Sequence, residues 1–263
     1  MKYVLPLTDP VLGTVDVSVR LGGLQILDQV SIGVPEGTIT GLIGPNGAGK
    51  TTLFNVLCGF VRADSGQVRL DGRRITHLRP HELTRHGIAR TLQGVGLFPA
   101  LTVLDNVLLG ASAMLPSSVF EEAFTAPWRR RRAREVHDRA LAVMSELSID
   151  DVAQRLAGEL PYPIQKRVAL ARALVSEPRV LLLDEPAGGI GETDMADLER
   201  LLRSWVPRMS ILIVEHHMEL VMSVTDLIWV LDAGRVIAAG PPDVVRNDPL
   251  VLAAYLGDEA AHA

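Results

Sequence analysis

The stretch Gly44-Pro-Asn-Gly-Ala-Gly-Lys-Thr-Thr52 decides the fold of this 263-residue chain. The residues before it, 38–43, are mostly β-branched or apolar and predict a buried strand. The residues after it, 53–57, predict a helix. A strand, a glycine-rich loop and a helix in this order indicate an α/β unit in which the loop joins the other two elements.

The glycines of this loop predict a binding site for a triphosphate. Gly44, Gly47 and Gly49 permit backbone conformations that other residues resist, so consecutive N–H groups can turn inward around an anion. Lys50 can then reach the β- and γ-phosphates, and Thr51 can offer its hydroxyl to Mg²⁺. A glycine turn beside a solvated lysine is the alternative, but it leaves the inward donors unpaired. The residues expected to bind the nucleotide are Gly44, Pro45, Asn46, Gly47, Ala48, Gly49, Lys50, Thr51 and Thr52.

The composition limits the class of protein. The chain is 48% hydrophobic and 22% charged, which predicts one large or two closely joined α/β units with a full core. Its net charge of −5, without a broad basic bias, argues against a nucleic-acid partner. A single cysteine, Cys58, and the lack of a secretory signal favour the cytosol. No apolar run approaches the roughly 18 residues that indicate a membrane span, so a role at a membrane would require partner proteins.

The first part of the chain predicts an antiparallel β layer. Residues 15–19 alternate as an edge strand, and residues 24–34 form a second strand. Asp71-Gly72 is a hairpin signal after a further short strand. A helix is expected over 80–86, because a proline stands at its start.

Residues 102–176 predict a helical insertion, because helical periodicity runs almost throughout them. The basic run 128–134 indicates either a solvated helix face or contact with lipid headgroups or an acidic partner. From residue 179 strands and helices alternate again, which predicts a parallel sheet wound with helices. Residues 257–263 are expected to be a frayed tail. The apolar stripe expected within the insertion consists of Ala133, Val136, Ala140, Leu141, Met144 and Leu147.

Two adjacent carboxylates end a wholly apolar strand. Residues 180–183 are followed directly by Asp184 and Glu185. Acids in this position are unfavourable unless they face a cation or a reacting group. We therefore expect Asp184 to hold Mg²⁺ through water and Glu185 to polarise the water that attacks the γ-phosphate. Capping of the following turn is the alternative role of this pair.

Together these motifs resemble the nucleotide-binding subunit of an ABC transporter, and the resemblance covers nearly the whole chain. Residues 44–52 resemble the Walker A motif of that family, and residues 180–185 resemble its Walker B motif. Gln93 is placed like the Q-loop glutamine, which implies a part in catalysis and in holding Mg²⁺. His216 is placed like the switch histidine, which implies a part in catalysis.

The resemblance also implies a fold and its boundaries. The expected fold class is α/β, with a P-loop NTPase core over 14–92 and 177–240 and an N-terminal antiparallel β layer. A helical subdomain with the signature segment is expected over 93–176, and C-terminal helices with a tail over 241–263. The whole chain, 1–263, is then a single ABC ATPase domain.

More closely, the chain resembles the ATPase of branched-chain amino-acid importers, specifically the member of the pair with the longer helical insert. This resemblance implies ATP hydrolysis coupled to transport, while the cargo is inferred by analogy. The segments that carry it are Gly41-Leu-Ile-Gly-Pro-Asn-Gly-Ala-Gly-Lys-Thr-Thr-Leu-Phe-Asn55, Gly87-Ile-Ala-Arg-Thr91, Leu97-Phe-Pro-Ala-Leu-Thr-Val-Leu-Asp-Asn-Val107, Ile213-Val-Glu-His216 and Ala254-Tyr-Leu-Gly257.

Three features depart from the family pattern. Leu21 stands where an aromatic residue usually stacks on adenine, which removes a π-face. In the signature segment, usually close to LSGGQ, Pro161 replaces the serine hydroxyl and Pro163 replaces a glycine N–H, although proline suits the first turn of the helix expected to run to residue 176. Residues 189–192 stand where the D-loop normally carries Asn or Asp. The signature residues expected to face a partner's ATP are Leu160, Pro161, Tyr162, Pro163 and Ile164.

These features lead to one expected function and two alternatives. The expected function is ATP binding and hydrolysis in an ABC importer for branched-chain or other hydrophobic amino acids, with ATP and Mg²⁺ as cofactors, at the cytoplasmic face of the membrane. The expected partners are a second, different ABC ATPase subunit, two transmembrane permease subunits and, indirectly, an extracytoplasmic substrate-binding protein. The alternatives are a soluble ABC ATPase not tied to transport, and a binding-only regulatory subunit with a degenerate signature.

Overall fold

A computed structural model of the protein divides the chain into two compact units. The first comprises Met1–Pro80 with Met195–Ala263, and the second comprises His81–Asp194. The residues that the structure describes are 10–75, 78–91, 94–112 and 127–261, except for the side chains of 127–130 and 256–261.

The described residues form strands and helices in alternation over much of the chain. The strands are β1 (Leu12–Leu21), β2 (Leu24–Val34), β3 (Ile39–Ile43), β4 (Ser65–Leu70), β5 (Arg73–Ile75), β6 (Ile88–Arg90), β7 (Val180–Asp184), β8 (Ser210–Val214), β9 (Leu227–Asp232) and β10 (Arg235–Gly240). The helices are α1 (Lys50–Leu57), α2 (Val103–Leu109), α3 (Pro127–Glu146), α4 (Tyr162–Leu174), α5 (Glu192–Trp205), α6 (Met218–Val224), α7 (Pro242–Arg246) and α8 (Pro249–Ala261), with short 3-10 helices at Pro80–His86, Asp150–Val152 and Ala157–Glu159.

The antiparallel layer of the first unit has the strand order β2-β1-β4-β5. The strand predicted over 24–34 is confirmed with the same bounds as β2. The prediction that residues 15–19 form an edge strand was wrong, because β1 pairs with β2 on one side and with β4 on the other. Asp71 and Gly72 have φ values of 50° and 70°, as the predicted hairpin between β4 and β5 requires.

A mostly parallel sheet positions the glycine loop of the first unit. Its strands follow the order β10-β9-β3-β8, with β3 parallel to both β8 and β9. Every residue of β3 and of β8 is buried, as a sheet covered on both faces requires. Since β3 ends at Ile43, the loop 44–52 leaves from the carboxyl end of a central strand, where open α/β sheets bind ligands.

The second unit combines a parallel strand pair with helices. β6 lies parallel to β7, with Ile88 opposite Val180. The helical insertion predicted over 102–176 is confirmed in the described residues by α2, α3 and α4, while 113–126 lie outside the description. The last of these helices ends at Leu174, two residues before the predicted end.

The apolar face of α3 differs from the predicted stripe at one position. Val136, Ala140 and Met144 are buried as predicted. Leu141 is 38% exposed, whereas Val143 is buried. Successive helix residues are about 100° apart around the axis, so Leu141 lies about 100° from Ala140, whereas Val143 lies only about 60° from it and falls within the buried face.

The basic run 128–134 lies only partly within the described side chains. Arg131 donates to Glu135 at 2.9 Å, one helical turn later, and both side chains are well exposed. A pair of this kind is typical of a solvated helix face, the first of the two interpretations of the run.

The last helix, α8, runs further along the chain than the sequence indicates. α8 continues to Ala261, so the prediction of a frayed tail over 257–263 was wrong as far as that residue. Val251 is buried, and Tyr255 packs against the same apolar cluster as Ile228 and Val245. This packing fixes the first turns of α8. Among the described helices, none has the length and apolar character needed to cross a bilayer.

Candidate functional site

The loop 44–52 is shaped by glycines that leave no room for a side chain. Gly44 has a φ of 150°, and a Cβ there would lie 2.0 Å from the carbonyl oxygen of Leu231. Gly49 has a φ of 101°, and a Cβ there would lie 2.8 Å from the side chain of Leu27. The loop backbone therefore packs directly against β9 and β2, and only glycine permits this approach.

Lys50 folds back over the loop from which it projects. Its Nζ donates hydrogen bonds to the carbonyl oxygens of Gly44 at 2.7 Å and Pro45 at 2.8 Å. An ammonium group has three donors and a compact charge. These contacts hold the positive charge beside the loop backbone, where an entering phosphate group would meet it.

The start of α1 adds further donors to the same loop. Gly49 is the N-cap residue and supplies no side-chain cap, while the first N–H groups of any α-helix lack partners within the helix. Asn46, Gly47 and Thr51 are exposed. Solvent therefore reaches the loop and the hydroxyl that the sequence assigns to Mg²⁺.

β7 ends in the two predicted carboxylates. The residues before Asp184 are fully buried, and Asp184 itself is half-buried. Its backbone N–H donates to Oγ1 of Thr91 at 3.2 Å, and the N–H of Thr91 donates to the carbonyl of Leu182 at 2.9 Å. Thr91 thus fixes the position of Asp184, a role that the sequence pattern did not single out.

Glu185 has an unusual backbone conformation that Lys166 supports. Its φ is 47°, in the left-handed region that side-chain-bearing residues disfavour by about 1–2 kcal/mol. Lys166 Nζ donates to the carbonyl oxygens of Glu185 and Pro186, both at 2.9 Å. The same ammonium lies 5.5 Å from the ring centroid of Tyr162. α4 therefore holds the main chain at the predicted general base.

The signature segment forms the beginning of α4. Pro161 is the N-cap residue, with φ −56° and ψ 147°, and provides no side-chain cap. Pro163 lies in the first helical turn and, like Pro161, has no N–H. Gln165 donates its N–H to the carbonyl of Pro161 at 3.0 Å. Leu160 is buried and Ile164 half-buried, so the segment is well anchored although it is poor in donors.

Tyr162 contacts the segment that the sequence compares with a D-loop. The tyrosine side chain is exposed, and a Cβ added to Gly189 would lie 3.0 Å from its ring. Gly189 has a φ of 74°. A larger residue at 189 would therefore meet both the ring and an unfavourable backbone conformation.

His216 follows β8 and lies beside the buried carboxylate of Glu215. Glu215 is fully buried, and its Oε2 accepts the N–H groups of His216 at 3.0 Å and His217 at 3.3 Å. The His216 side chain is 56% exposed. The buried acid therefore fixes the turn, and the histidine ring is left in reach of solvent and ligands.

Gln93 lies outside the described residues, but the segment after it is held by α4. The Arg172 guanidinium donates to the carbonyl oxygens of Gly96 at 2.8 Å and Val95 at 3.3 Å. Burial lowers the pKa of Arg172 from its ordinary value. The helix that begins at the signature thus also anchors the chain just beyond Gln93.

Leu21 lies at the tip of the β1–β2 hairpin, opposite Leu24. Leu21 is 47% exposed, and Leu24 is exposed still further. Two apolar side chains therefore face solvent at the position where the sequence indicates an adenine contact. Leu24 had not been predicted as part of the site.

The loop before α2 exposes apolar side chains on a firmly bonded backbone. Asn106 is fully buried; its side chain accepts the N–H of Phe98 at 2.9 Å and donates to the carbonyl of Phe98 at 3.0 Å. Phe98 is 55% exposed, and Leu101 is exposed as well. Such a rigid, apolar loop tip is typical of a protein-binding surface.

The predicted site residues are divided between the two units. Leu21, the loop 44–52 and His216 belong to the first unit, whereas Asp184, Glu185 and the signature segment belong to the second. Within each unit these residues lie at strand ends or helix starts.

Comparisons with known proteins relate the chain to one family. A family model described as ABC transporter matches residues 27–188, and a second, described as branched-chain amino acid ATP-binding cassette transporter, matches residues 235–261. The high-affinity branched-chain amino acid transport ATP-binding protein BraF of Pseudomonas aeruginosa is 39% identical over 95% of this chain and 98% of its own length. LivG of Escherichia coli, with the same description, is 36% identical over 96% of this chain and all of its own. The crystal structure of the ADP conformation of MJ1267, an ATP-binding cassette of an ABC transporter, has a TM-score of 0.81 and 32% identity, and covers 94% of this chain and 98% of that chain.

Proposed function

The chain belongs to the ABC transporter family, and we propose that it is the ATP-hydrolysing subunit of an importer for branched-chain or other hydrophobic amino acids. The observation that carries the proposal is the glycine loop, with Lys50 bonded over it and the N-terminus of α1 beside it. The cargo is taken from the names of relatives that match nearly the full length of the chain.

ATP binds, in this proposal, with its phosphates at the loop 44–52. Lys50 exchanges its bonds to the carbonyl oxygens of Gly44 and Pro45 for bonds to the β- and γ-phosphates. Hydrogen bonds to a charged group are stronger than those to a neutral carbonyl, so the exchange favours the nucleotide. Leu21 and Leu24 offer adenine an apolar surface in place of an aromatic ring.

The residues proposed to hold Mg²⁺ suit that ion. The Thr51 hydroxyl, the Asp184 carboxylate and the Gln93 amide all present oxygen, which Mg²⁺ prefers. The first is exposed and the second half-buried. Bound Mg²⁺ neutralises charge on the phosphate oxygens.

Hydrolysis is assigned to Glu185, with Gln93 and His216 assisting. Glu185 acts as the base that orients and polarises the attacking water. Lys166 and the left-handed φ fix the main chain of this glutamate, so its carboxylate leaves the strand end in a restricted direction. The exposed ring of His216 is available to a phosphate oxygen.

Coupling to membrane subunits is proposed to use residues 87–112. The helical insertion between 102 and 176 is the recruiting element, and Phe98 and Leu101 are the apolar anchors that a permease helix covers. The buried Asn106 keeps their loop in one conformation, which limits the entropy lost on binding. We therefore place the working protein at the cytoplasmic face of a membrane, held there by two permease subunits, which are in turn served by an extracytoplasmic substrate-binding protein.

The ATPase pair is proposed to be a heterodimer with unequal ATP sites. The phosphate-binding loop, Asp184 and Glu185 retain the chemistry that hydrolysis needs, whereas Pro161 and Pro163 lack donors for the partner's nucleotide. A homodimer would carry this deficiency at both sites. A second, different ATPase subunit supplies one regular signature.

A binding-only regulatory subunit is the second candidate function. The proline-containing signature and the glycines at 189 and 191 favour it, because they weaken the contacts that close a nucleotide dimer. The two candidates differ in turnover at Glu185.

The proposal is tested with the complex co-purified with its partner subunits. Lys50→Ala removes the phosphate contact, so nucleotide binding by this chain and turnover at its own site are both lost. Glu185→Gln keeps the size and hydrogen-bonding capacity of the side chain but not its basicity, so Mg-ATP still binds while turnover falls by about 10²–10⁴-fold. Arg200→Ala, on the exposed face of α5, is the control and leaves both unchanged. Undiminished turnover by Glu185→Gln contradicts the assignment and supports the binding-only candidate.

A further inference from the structure

Three consecutive residues after β8 place potential metal-ligating atoms close together. The proposed ATPase mechanism does not use these three side chains as a group. Glu215, His216 and His217 each offer one metal-ligating atom, and these atoms lie within 4.8 Å of one another. We propose that they form a site for a late first-row divalent cation such as Zn²⁺, and that the bound cation inhibits ATP turnover by holding the His216 ring.

The buried carboxylate makes the site pre-organised. Glu215 Oε2 accepts the N–H groups of His216 at 3.0 Å and His217 at 3.3 Å, so the turn that carries both rings is fixed by the same group that would ligate the ion. An ionised carboxylate has about four lone-pair sites on its two oxygens, so the same group can accept two N–H groups and ligate an ion. The ordering of the turn is therefore complete before a cation binds.

The distance between two of the ligand atoms is close to that between two ligands of one ion. His216 Nδ1 lies 3.8 Å from Glu215 Oε2. Two ligands bound tetrahedrally at about 2.0–2.2 Å are separated by about 3.4 Å, so a shift of a few tenths of an ångström suffices for this pair. The His216 and His217 ring centroids are 4.4 Å apart at an angle of 36°, and His216 is exposed enough to rotate.

The donor set selects the class of metal. Two imidazoles and one carboxylate, with the remaining position open to water, are ligands that suit Zn²⁺ and its late first-row neighbours. Mg²⁺ prefers oxygen ligands, so we expect it to bind weakly to a site with two imidazole nitrogens. The proposed cation is therefore chemically separate from the Mg²⁺ that accompanies ATP.

Substitution of His217 tests the proposed site with the least disturbance of the backbone. It is the N-cap residue of α6, but its side chain makes no capping hydrogen bond, so His217→Ala removes a ligand and keeps the backbone bond to Glu215. His217 has no part in the proposed ATPase mechanism. His137→Ala is the matched control: that ring lies 3.9 Å from an Asp138 carboxylate oxygen on an exposed helix face and belongs to no three-residue cluster among the described residues.

The experiment titrates ZnCl₂ into the purified chain and measures heat of binding, then repeats the titration with the ATPase complex and measures turnover. Wild type and His137→Ala should bind one Zn²⁺ at this site, and His217→Ala should bind it at least about tenfold more weakly. Even the loss of a residue that only hydrogen-bonds a metal ligand usually lowers metal affinity by about this factor. Turnover should fall with Zn²⁺ in wild type and resist it in His217→Ala. Equal Zn²⁺ affinity in wild type and His217→Ala overturns the site.

The inhibitory half of the inference rests on the proposed ATPase function, whereas the binding half does not. Loss of Zn²⁺ affinity in His217→Ala supports the site even for a chain that proves not to hydrolyse ATP. If His217→Ala binds Zn²⁺ more weakly than wild type but Zn²⁺ lowers the turnover of both equally, the proposed inhibition is overturned and the binding site is not.

Discussion

Two helices of this protein begin at sequences to which we assign contacts with nucleotide phosphates, and their first turns are opposite in character. α1 begins behind Gly49, at φ 101°, after a loop rich in glycine and therefore in accessible N–H groups. α4 begins behind Pro161, at φ −56°, with Pro163 in its first turn. Both helices present the positive end of a dipole. The difference shows that the residues in the first turn, rather than the helix itself, decide how many donors a phosphate can find.

The proline-rich start of α4 remains structurally sound. Proline suits the first turn of a helix, where its missing N–H would lack a helical partner anyway. The Gln165 side chain donates to the carbonyl of Leu160 at 2.8 Å, which joins the first turn to the preceding residue. Lys166 bonds the carbonyl oxygens of Glu185 and Pro186. α4 thus supports the catalytic strand while offering few donors to a nucleotide.

The largest expected effect comes from filling the α1 loop. Gly44→Ala places a Cβ 2.0 Å from the carbonyl oxygen of Leu231, so the loop or β9 must move, and we expect loss of ATP binding with destabilisation of about 3 kcal/mol. Gly47→Ala is the matched control, since its φ is also positive but nothing lies within 4 Å of the added atom. Thermal unfolding and ATP titration should separate the two variants. Equal losses would mean that backbone strain alone, and not contact with β9, shapes the loop.

An intermediate effect is expected at Lys166. Lys166→Met removes both hydrogen bonds to the main chain at Glu185, and we expect turnover to fall about tenfold, which equals 1.4 kcal/mol, while ATP affinity is unchanged. Lys166→Arg retains the charge and should recover part of the rate. Measurements of kcat and KM on the complex test this expectation. A parallel loss of affinity and rate would indicate a general defect of α4 instead.

The smallest expected effect comes from restoring a donor to α4. Pro163→Ala returns one N–H without the flexibility of glycine, and a hydrogen bond to a charged group contributes about 1.5–3 kcal/mol before the cost of remodelling the turn. We expect a rise of a few-fold in turnover at the partner's nucleotide. Pro242→Ala, at the equivalent first turn of α7, is the control. No rise with Pro163→Ala would mean that the missing N–H does not limit that site.

Local sequence patterns were sufficient to predict the elements whose structure depends on the backbone preferences of neighbouring residues. The bounds of β2 and the Asp71-Gly72 hairpin follow from alternation and from positive φ values that few residue types adopt. The glycine loop followed from the same reasoning. The 3-10 helix Pro80–His86 begins at the proline that predicted a helix there.

The sequence was insufficient where a distant contact decides the outcome. The edge strand was wrong because β4, more than 40 residues later, covers β1. The burial of Leu141 was predicted wrongly because three- and four-residue spacing fits both Leu141 and Val143, and only Val143 lies on the face that packs. The bonds of Lys166 to Glu185 and of Thr91 to Asp184 left no pattern in the chain, since a main-chain carbonyl or N–H pairs with any suitably placed side-chain donor or acceptor.

The proposed inequality of the two ATP sites in the complex is tested by mutating one catalytic glutamate at a time. Glu185→Gln in this chain and the equivalent substitution in the partner subunit are introduced separately, and ATP turnover of each reconstituted complex is measured. We expect nearly complete loss with Glu185→Gln, because that glutamate serves the site completed by the partner's regular signature, and only partial loss with the partner's variant. Equal losses from the two variants, or robust turnover by this chain without a partner, would contradict it.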